Sequence, residues 1–412
     1  MKILIMHLYF EPIGGAEVIA YDTMKLLQKH GHDVLFLALK GENYFEKNYP
    51  YIKDFTTGVK NTKDYLKSPL SYYYNLKAQR DVNRIIKKFN PDIIHLHNII
   101  SGFSPAILKC CKDYPTVMTV HDVGIVCPAT TLMFRNKTFC KEQKCRNGNG
   151  FNCILNRCEK NSLEGSIRKA IRYYIISANL KYVNRFITPS MALKQCIVTS
   201  NAKINANQIS VINNFLPDNI ITTQPSYKNL GYFLYVGRVT KEKGIHYILE
   251  IAKFLPSDIV FHIVGTGAKE TEFREYARKN NLQNVKFLGY MDREQIKKQY
   301  QNCIATILPC NSFENFPTTN MESMINGKPI IASKIGGILE QVEHNKTGLL
   351  FDSANVEQLK ECVLKYWNNP DLVITHGQNA HKKAVSLYNT SNYYNNIMDI
   401  YSDLLMSTER GL

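Results

Sequence analysis

Short apolar runs recur along this chain at intervals that leave room for one helix between neighbours. Ile3–Leu8, Asp33–Leu39, Pro91–His97, Thr116–Val120, Phe186–Ser190 and Ile209–Asn214 form one series. Tyr232–Val236, Ile259–Val264, Val285–Leu288, Ile304–Leu308 and Pro329–Ala332 form a second. Runs this short, with few alternating polar positions, read as strands covered on both faces. Helix-like stretches such as Ala16–His30 and Tyr73–Phe89 lie between them. Such alternation predicts a parallel sheet with helices on both sides. The expected fold is α/β, with two doubly wound, Rossmann-like domains facing each other across a cleft. A length of 412 residues suits two cores rather than one. Residues 1–212, completed by a C-terminal helix over 385–412, are expected to form the first domain, and 213–384 the second. The polar stretch Asp218–Asn229 reads as a linker.

Charge is unevenly placed. Residues 1–225 hold 30 basic and 16 acidic side chains, whereas the remainder holds 21 and 19. The excess peaks between Arg135 and Arg185, with twelve basic and three acidic residues. Such asymmetry points to an anionic membrane surface, a nucleic acid, an acidic substrate or simple solubility. No nucleic-acid-binding motif accompanies it. Ser166–Val183 reads as a helix in which basic residues and tyrosines flank Ile167, Ile171 and Ile175. It is either an interfacial helix or an ordinary one packing its Ile stripe on the sheet. Lys2–Met6 is too short for a signal-peptide core, and no apolar run reaches the roughly 18–20 residues needed to span a bilayer. The expected location is the cytoplasm, with peripheral contact at the inner face of the cell membrane.

Residues 124–160 interrupt the rhythm and carry five of the eleven cysteines. Cys140, Cys145, Cys153 and Cys158 form two pairs with four residues inside each, the loose end of structural zinc spacing. Disulfides and free thiols are the competing readings. The other cysteines read as small buried apolar residues.

Residues suited to chemistry fall at predicted strand ends, where open parallel sheets bind ligands. Gly14 and Gly15 follow the first strand, with Glu17 placed to orient that loop or cap the helix. Two glycines allow close backbone approach, and a helix start supplies amides for an anion. His121-Asp122 ends the run Thr116–Val120, while His95 and His97 read as structural or as lining the cleft. Arg238 and Lys243 follow Tyr232–Val236 and offer cations for phosphate oxygens. Gly265-Thr266-Gly267 resembles the opening of a dinucleotide fingerprint, but position 270 is Glu, which argues against a nicotinamide cofactor. Glu314 and Glu322 lie eight positions apart across a loop-to-helix junction, with Pro317 at the expected first helical position. Amides of Phe316, Thr318 and Thr319 would face the same crevice. Carboxylates beside an anion site imply a ligand that is both phosphorylated and rich in hydroxyls.

Taken in order, these stations resemble the retaining glycosyltransferases of family 4, which have the GT-B fold. Glu314 to Glu322 matches the family's E-x7-E signature. Gly327-Lys328-Pro329, Gly336-Gly337, Glu340 and Gly348 follow in family order, so the likeness spans about residues 1–350. It implies that the Gly14–Gly15 loop reaches toward donor diphosphate and acceptor. His121 would bond the donor sugar with Asp122 orienting it, and Arg238 and Lys243 would neutralise the diphosphate without a metal. Gly265 would line the base pocket, Glu322 accept ribose hydroxyls, and Glu314 face the sugar.

The expected activity is transfer of a sugar, with retention, from a nucleoside diphosphate sugar to a glycan acceptor. The basic first half suggests a lipid-linked acceptor, as in bacterial surface polysaccharide assembly. No catalytic metal is expected. A sugar-nucleotide epimerase or phosphorylase of the same architecture is the alternative within enzymes. A non-catalytic membrane- or nucleic-acid-binding protein is the alternative outside them.

Overall fold

The computed structural model describes residues 1–7, 14–39, 53–55, 69–99, 104–134, 138–140, 145, 148–200, 204–227 and 231–409. Leu8, the end of the expected linker and parts of the 124–160 insertion lie outside them. The chain divides into two compact units, Met1–Asn213 with Ser391–Leu412, and Asn214–Thr390.

In the first unit the sheet strands are β1 (Lys2–His7), β2 (Asp33–Leu39), β3 (Lys53–Phe55), β4 (Ile93–His97) and β5 (Thr116–Thr119). A two-stranded antiparallel ribbon, β6 (Met133–Phe134) with β7 (Thr138–Phe139), stands apart. β8 (Arg185–Thr188) and β9 (Ile209–Val211) complete the main sheet, whose order is β3-β2-β1-β4-β5-β8-β9. Every pairing in it is parallel. The chain moves outward from β1 to β3, then returns to place β4 on the other side of β1. That reversal opens a crevice at the carboxyl ends of β1 and β4. β1 is buried from Ile3 to His7 and β4 throughout, as strands covered on both faces must be.

In the second unit β10 (Tyr232–Val236), β11 (Val260–Val264), β12 (Val285–Gly289), β13 (Thr306–Leu308), β14 (Ile330–Ser333) and β15 (Gly348–Phe351) are also all parallel. Their order is β12-β11-β10-β13-β14-β15, so the reversal falls between β10 and β13. The α/β, doubly wound reading therefore holds for both units. β3 and β15 are edge strands that the apolar runs did not announce.

Three local expectations change. The helix expected over Tyr73–Phe89 is two helices, Pro69–Tyr73 and Leu76–Phe89, because Asn75 caps the second by accepting from the Ala78 amide. Pro317 is the cap of the helix Thr318–Ile325 rather than its first residue. The expected linker is built into the second unit: Asp218–Ile221 is a helical turn, and the Asp218 carboxylate accepts from the Thr390 hydroxyl at 2.5 Å.

The C-terminal helix Thr390–Glu409 returns to the first unit and is tied there by tyrosines. Tyr393 meets the Thr23 hydroxyl at 3.0 Å, Tyr394 stacks on His30 with centroids 3.7 Å apart, and Tyr401 bonds His95 Nδ1 at 2.6 Å. His95 is fully buried, so Tyr401→Phe would strand one ring nitrogen. We expect that variant to lose about 1–3 kcal/mol of first-unit stability, read as faster hydrogen exchange of β1 and β4 amides.

Candidate active site

The second unit gathers most of the predicted residues around the carboxyl ends of β10, β11 and β13. The loop after β10 is held by backbone contact with the loop after β11. Val239 donates to the Thr266 carbonyl at 2.9 Å, and Gly237 to the Val264 carbonyl at 3.0 Å. Gly265 has φ +121°, and a Cβ there would lie 2.0 Å from the Gly237 carbonyl oxygen. Only glycine meets both demands, so Gly265 is where one loop presses on the next. Arg238 rides on this clamp: its carbonyl accepts from the Tyr235 hydroxyl at 2.8 Å while its side chain is exposed.

Lys243 ends a short 3-10 turn, Lys241–Lys243, and Gly244 follows in the left-handed region at φ +76°. A Cβ on Gly244 would fall 1.8 Å from the Pro309 carbonyl oxygen, so this turn abuts the loop after β13. The contact brings Lys243 Nζ to Glu314 Oε1 at 2.6 Å, both side chains being largely buried. Burial disfavours the Lys243 charge, but the Glu314 carboxylate outweighs it, and the amine titrates above an ordinary lysine. One of its three N–H groups goes to Glu314, which leaves two for another acceptor.

Backbone bonds fix the loop carrying Glu314. Gly337 donates to the Glu314 carbonyl at 2.8 Å, Asn214 Nδ2 to Phe316 at 3.1 Å, and Gln341 Nε2 to Pro317 at 3.0 Å. Thr318 and Thr319 then open the helix, so their amides find no carbonyl four residues back within it. Thr319 lines a small cavity with Val236, Tyr300 and Leu308. Glu322, one turn further on, accepts from the Tyr300 hydroxyl at 3.0 Å. Burial raises the Glu322 carboxyl above its ordinary value, and the Tyr300 bond restrains the rise. The two glutamates of the signature thus have separate partners, Lys243 for one and Tyr300 for the other.

The first unit holds Gly14, Gly15 and His121. Gly14 is extended and Gly15 begins the helix Gly15–Lys29. The Glu17 carboxylate curls back beneath them, with Oε2 only 2.9 Å from where a Gly14 Cβ would stand. His121 lies two residues beyond β5. Asp122 does not orient it by any bond found among the described residues: its carboxylate caps the turn Val123–Ile125, accepting from the Gly124 amide at 2.7 Å. The orienting partner is His97, whose Nδ1 lies 2.9 Å from His121 Nε2.

Burial and neighbouring imidazoles lower both rings, so each is neutral at pH 7 and one proton serves their contact. His97 Nε2 is buried and unbonded. A bare ring nitrogen is less costly to bury than an orphaned N–H. His97 Nδ1 therefore donates to His121 Nε2, and His121 keeps its own proton on Nδ1. His95, by contrast, is spent on Tyr401 and Thr119 and is structural.

Sequence reasoning left His97 as structural or as lining the cleft and gave Tyr300 no role. A signal existed for His97, since His95 and His97 alternate on one strand and share a face. Tyr300 sits on the helix Arg293–Asn302 with no local hint of its carboxylate. The zinc expectation at Cys140, Cys145, Cys153 and Cys158 is corrected. Among the described residues no group of three or more His, Cys, Asp or Glu is arranged to hold a metal ion. Cys153 is instead buried in the helix Phe151–Leu155 and bonded to the Cys158 thiol, while its carbonyl accepts from the Cys158 amide at 3.1 Å.

Residues 13–219 match the family profile described as Glycosyltransferase Family 4, and residues 218–383 the one described as Glycosyl transferases group 1. An uncharacterized glycosyltransferase of Methanocaldococcus jannaschii, MJ1178, is 26% identical over 381 residues, covering 92% of each chain. The O-antigen chain mannosyltransferase C of Escherichia coli is 27% identical over 179 residues, 43% of this chain and 48% of that one. Among solved structures, Anabaena Alr3699/HepE in complex with UDP superposes with a TM-score of 0.71 at 19% identity, covering 98% of this chain and all of the other.

The buried histidines carry a pH signature. Burial lowers His95 to about 3, and burial with the neighbouring imidazoles holds His97 well below the unfolded value of 6.5. Protons then bind the unfolded chain first, so stability is complete above about pH 6.5 and falls as the pH drops below it. Each histidine should steepen the fall by about 1.4 kcal/mol per pH unit, and His95→Gln should flatten it in acid denaturation monitored by first-unit hydrogen exchange.

Proposed function

Because the chain belongs to glycosyltransferase family 4 and is a glycosyltransferase of the GT-B fold, we propose that its second unit binds a nucleoside diphosphate sugar. The sugar is transferred, with retention, to a glycan acceptor in bacterial surface polysaccharide assembly. The observation that carries this reading is the cationic, amide-rich crevice at the β10/β13 reversal, with a raised carboxylate beside it. The exposed Arg238, the two remaining Lys243 N–H groups and the amides of Thr318 and Thr319 are suited to phosphate oxygens. Glu322 has two oxygens for the paired hydroxyls of a ribose. UDP in the Anabaena neighbour and mannosyl transfer by the Escherichia coli relative support a nucleotide sugar as co-substrate.

On this reading the bond between the sugar's anomeric carbon and the phosphate oxygen breaks as the acceptor hydroxyl bonds the same face. The hydroxyl proton passes to the departing phosphate. Arg238 and Lys243 stabilise the charge that develops there, and Glu314 holds Lys243 in place. By the family resemblance, His121 would hydrogen-bond the donor sugar. The first unit, with its basic excess, takes the acceptor, for which a lipid-linked glycan is the chemistry that matches the charge.

A thermal-shift panel of UDP, GDP, ADP and their common sugar conjugates tests the donor. One nucleotide at about 100 times its dissociation constant should stabilise by about 2.7 kcal/mol. Arg238→Ala should abolish that shift and lower transfer by about 10²–10³-fold. A flat panel with no transfer from any donor would sink the reading.

The Glu322 carboxyl gives a second check, since only its ionised form accepts from both hydroxyls. Nucleotide affinity should weaken as the pH falls through a value above the ordinary carboxylate range. Tyr300→Phe removes a donor to the ionised form and should move that limb to higher pH, measured by calorimetric titration.

A further inference from the structure

The helix Leu163–Asn179 is inverted relative to an ordinary surface helix. Its buried side carries Ser166, Arg172 and Ser177 as well as Ala170, Tyr173 and Ile176. Past the first turn, every residue it exposes is apolar: Ile167, Ile171, Tyr174 and Ala178, at spacings of four, three and four. Leu163 extends the stripe by one turn, at 47% exposure. The short helix Phe151–Leu155 packs against this one and exposes Phe151 and Leu155, the latter at 63%. A soluble helix turns such residues inward, so this face calls for a cover.

Charge says what covers it. Between residues 151 and 185 there are seven basic and two acidic side chains. Arg157, Lys160 and Lys181 are exposed, and Arg168 and Lys169 are half-buried at the helix flank. One of the acids, Glu164, is already paired with Arg168 at 3.6 Å. Arg172 is turned inward over the Tyr72 ring, 4.4 Å from its centroid, and anchors the helix rather than the cover. A second copy of this chain would bring the same cations against each other across a two-fold axis, which disfavours it. An apolar stripe rimmed by cations matches a bilayer with anionic headgroups. No helix among the described residues is long and apolar enough to cross a membrane, so the fit is to lying on it.

We propose that the face formed by Phe151–Leu155 and Leu163–Asn179 docks the protein on an anionic lipid bilayer. Leu163, Ile167, Ile171 and Tyr174 enter the headgroup boundary while the flanking cations meet the lipid charge. The proposal deepens the reading of a lipid-linked acceptor, and it rests on that reading only for its purpose, since the surface needs no donor.

The test is co-sedimentation of the full chain with vesicles of phosphatidylcholine containing about one third phosphatidylglycerol, against phosphatidylcholine alone. The protein should pellet with the anionic vesicles at low salt and bind about tenfold more weakly at high salt. Ile167→Ser with Ile171→Ser should weaken binding by about tenfold or more, while leucine at both positions restores it. Both substitutions are at exposed positions, and an unchanged melting temperature with the preferred nucleotide would show the fold intact. Wild-type protein left in the supernatant would overturn the proposal, as would serine variants that bind like wild type. A dimer in light scattering that the serine pair dissociates, without vesicle binding, would assign the face to a second copy instead. Vesicle binding alongside a flat nucleotide panel would retain the surface and reject the donor reading.

Discussion

The candidate site residues of this protein gather where a parallel sheet reverses its strand order. Parallel strands need crossovers, and right-handed crossovers commit successive helices to one face until the order turns back. At the turn, loops from two adjacent strands splay to opposite sides and leave a crevice that no helix fills. In the first unit this happens between β1 and β4, in the second between β10 and β13. Gly14 and His97 stand at the first reversal, Arg238 and Glu314 at the second. Their clustering follows from topology, with close loop contacts at Gly244 and Gly265 refining it.

Burial then decides which of these groups keep a charge. Lys243 remains cationic because Glu314 is beside it, 71 positions away in sequence. Burial raises the Glu322 carboxyl, and the Tyr300 hydroxyl and the more distant Arg293 only restrain the rise. His95, His97 and His121 contact one another and the Tyr401 and Thr119 hydroxyls, and burial keeps the three rings uncharged at neutral pH. On the proposed reading, the same principle separates the group that would neutralise phosphate from those that would hydrogen-bond the ligand.

The helix Leu163–Asn179 shows how far a local pattern carries. Its composition was compatible with an interfacial helix and with an ordinary one packing an Ile stripe inward. Periodicity finds a stripe but not the side on which the core lies. In the structure Ala170, Tyr173 and Ser177 take the inward side, leaving Ile167 and Ile171 outside. The cysteines of the 124–160 insertion illustrate the same limit. Spacing brings Cys145, Cys153 and Cys158 within reach of one another, but metal binding needs three or more ligands aimed at one point, which the described residues do not show.

The sequence alone determined the α/β class, the two series of strands and the positions of the reactive residues at strand ends. Those properties are local: they follow from run length, side-chain branching and helix breakers within a few residues. Tertiary structure decided the partners. It joined Lys243 to Glu314, Tyr300 to Glu322, His97 to His121 and Tyr401 to His95, and it gave Asp122 a turn to cap. A hydrogen bond across 22 to 306 residues leaves no periodic trace, since it depends on which strands become neighbours. Strand order in turn is fixed by burial of the whole sheet, to which each run contributes only its share.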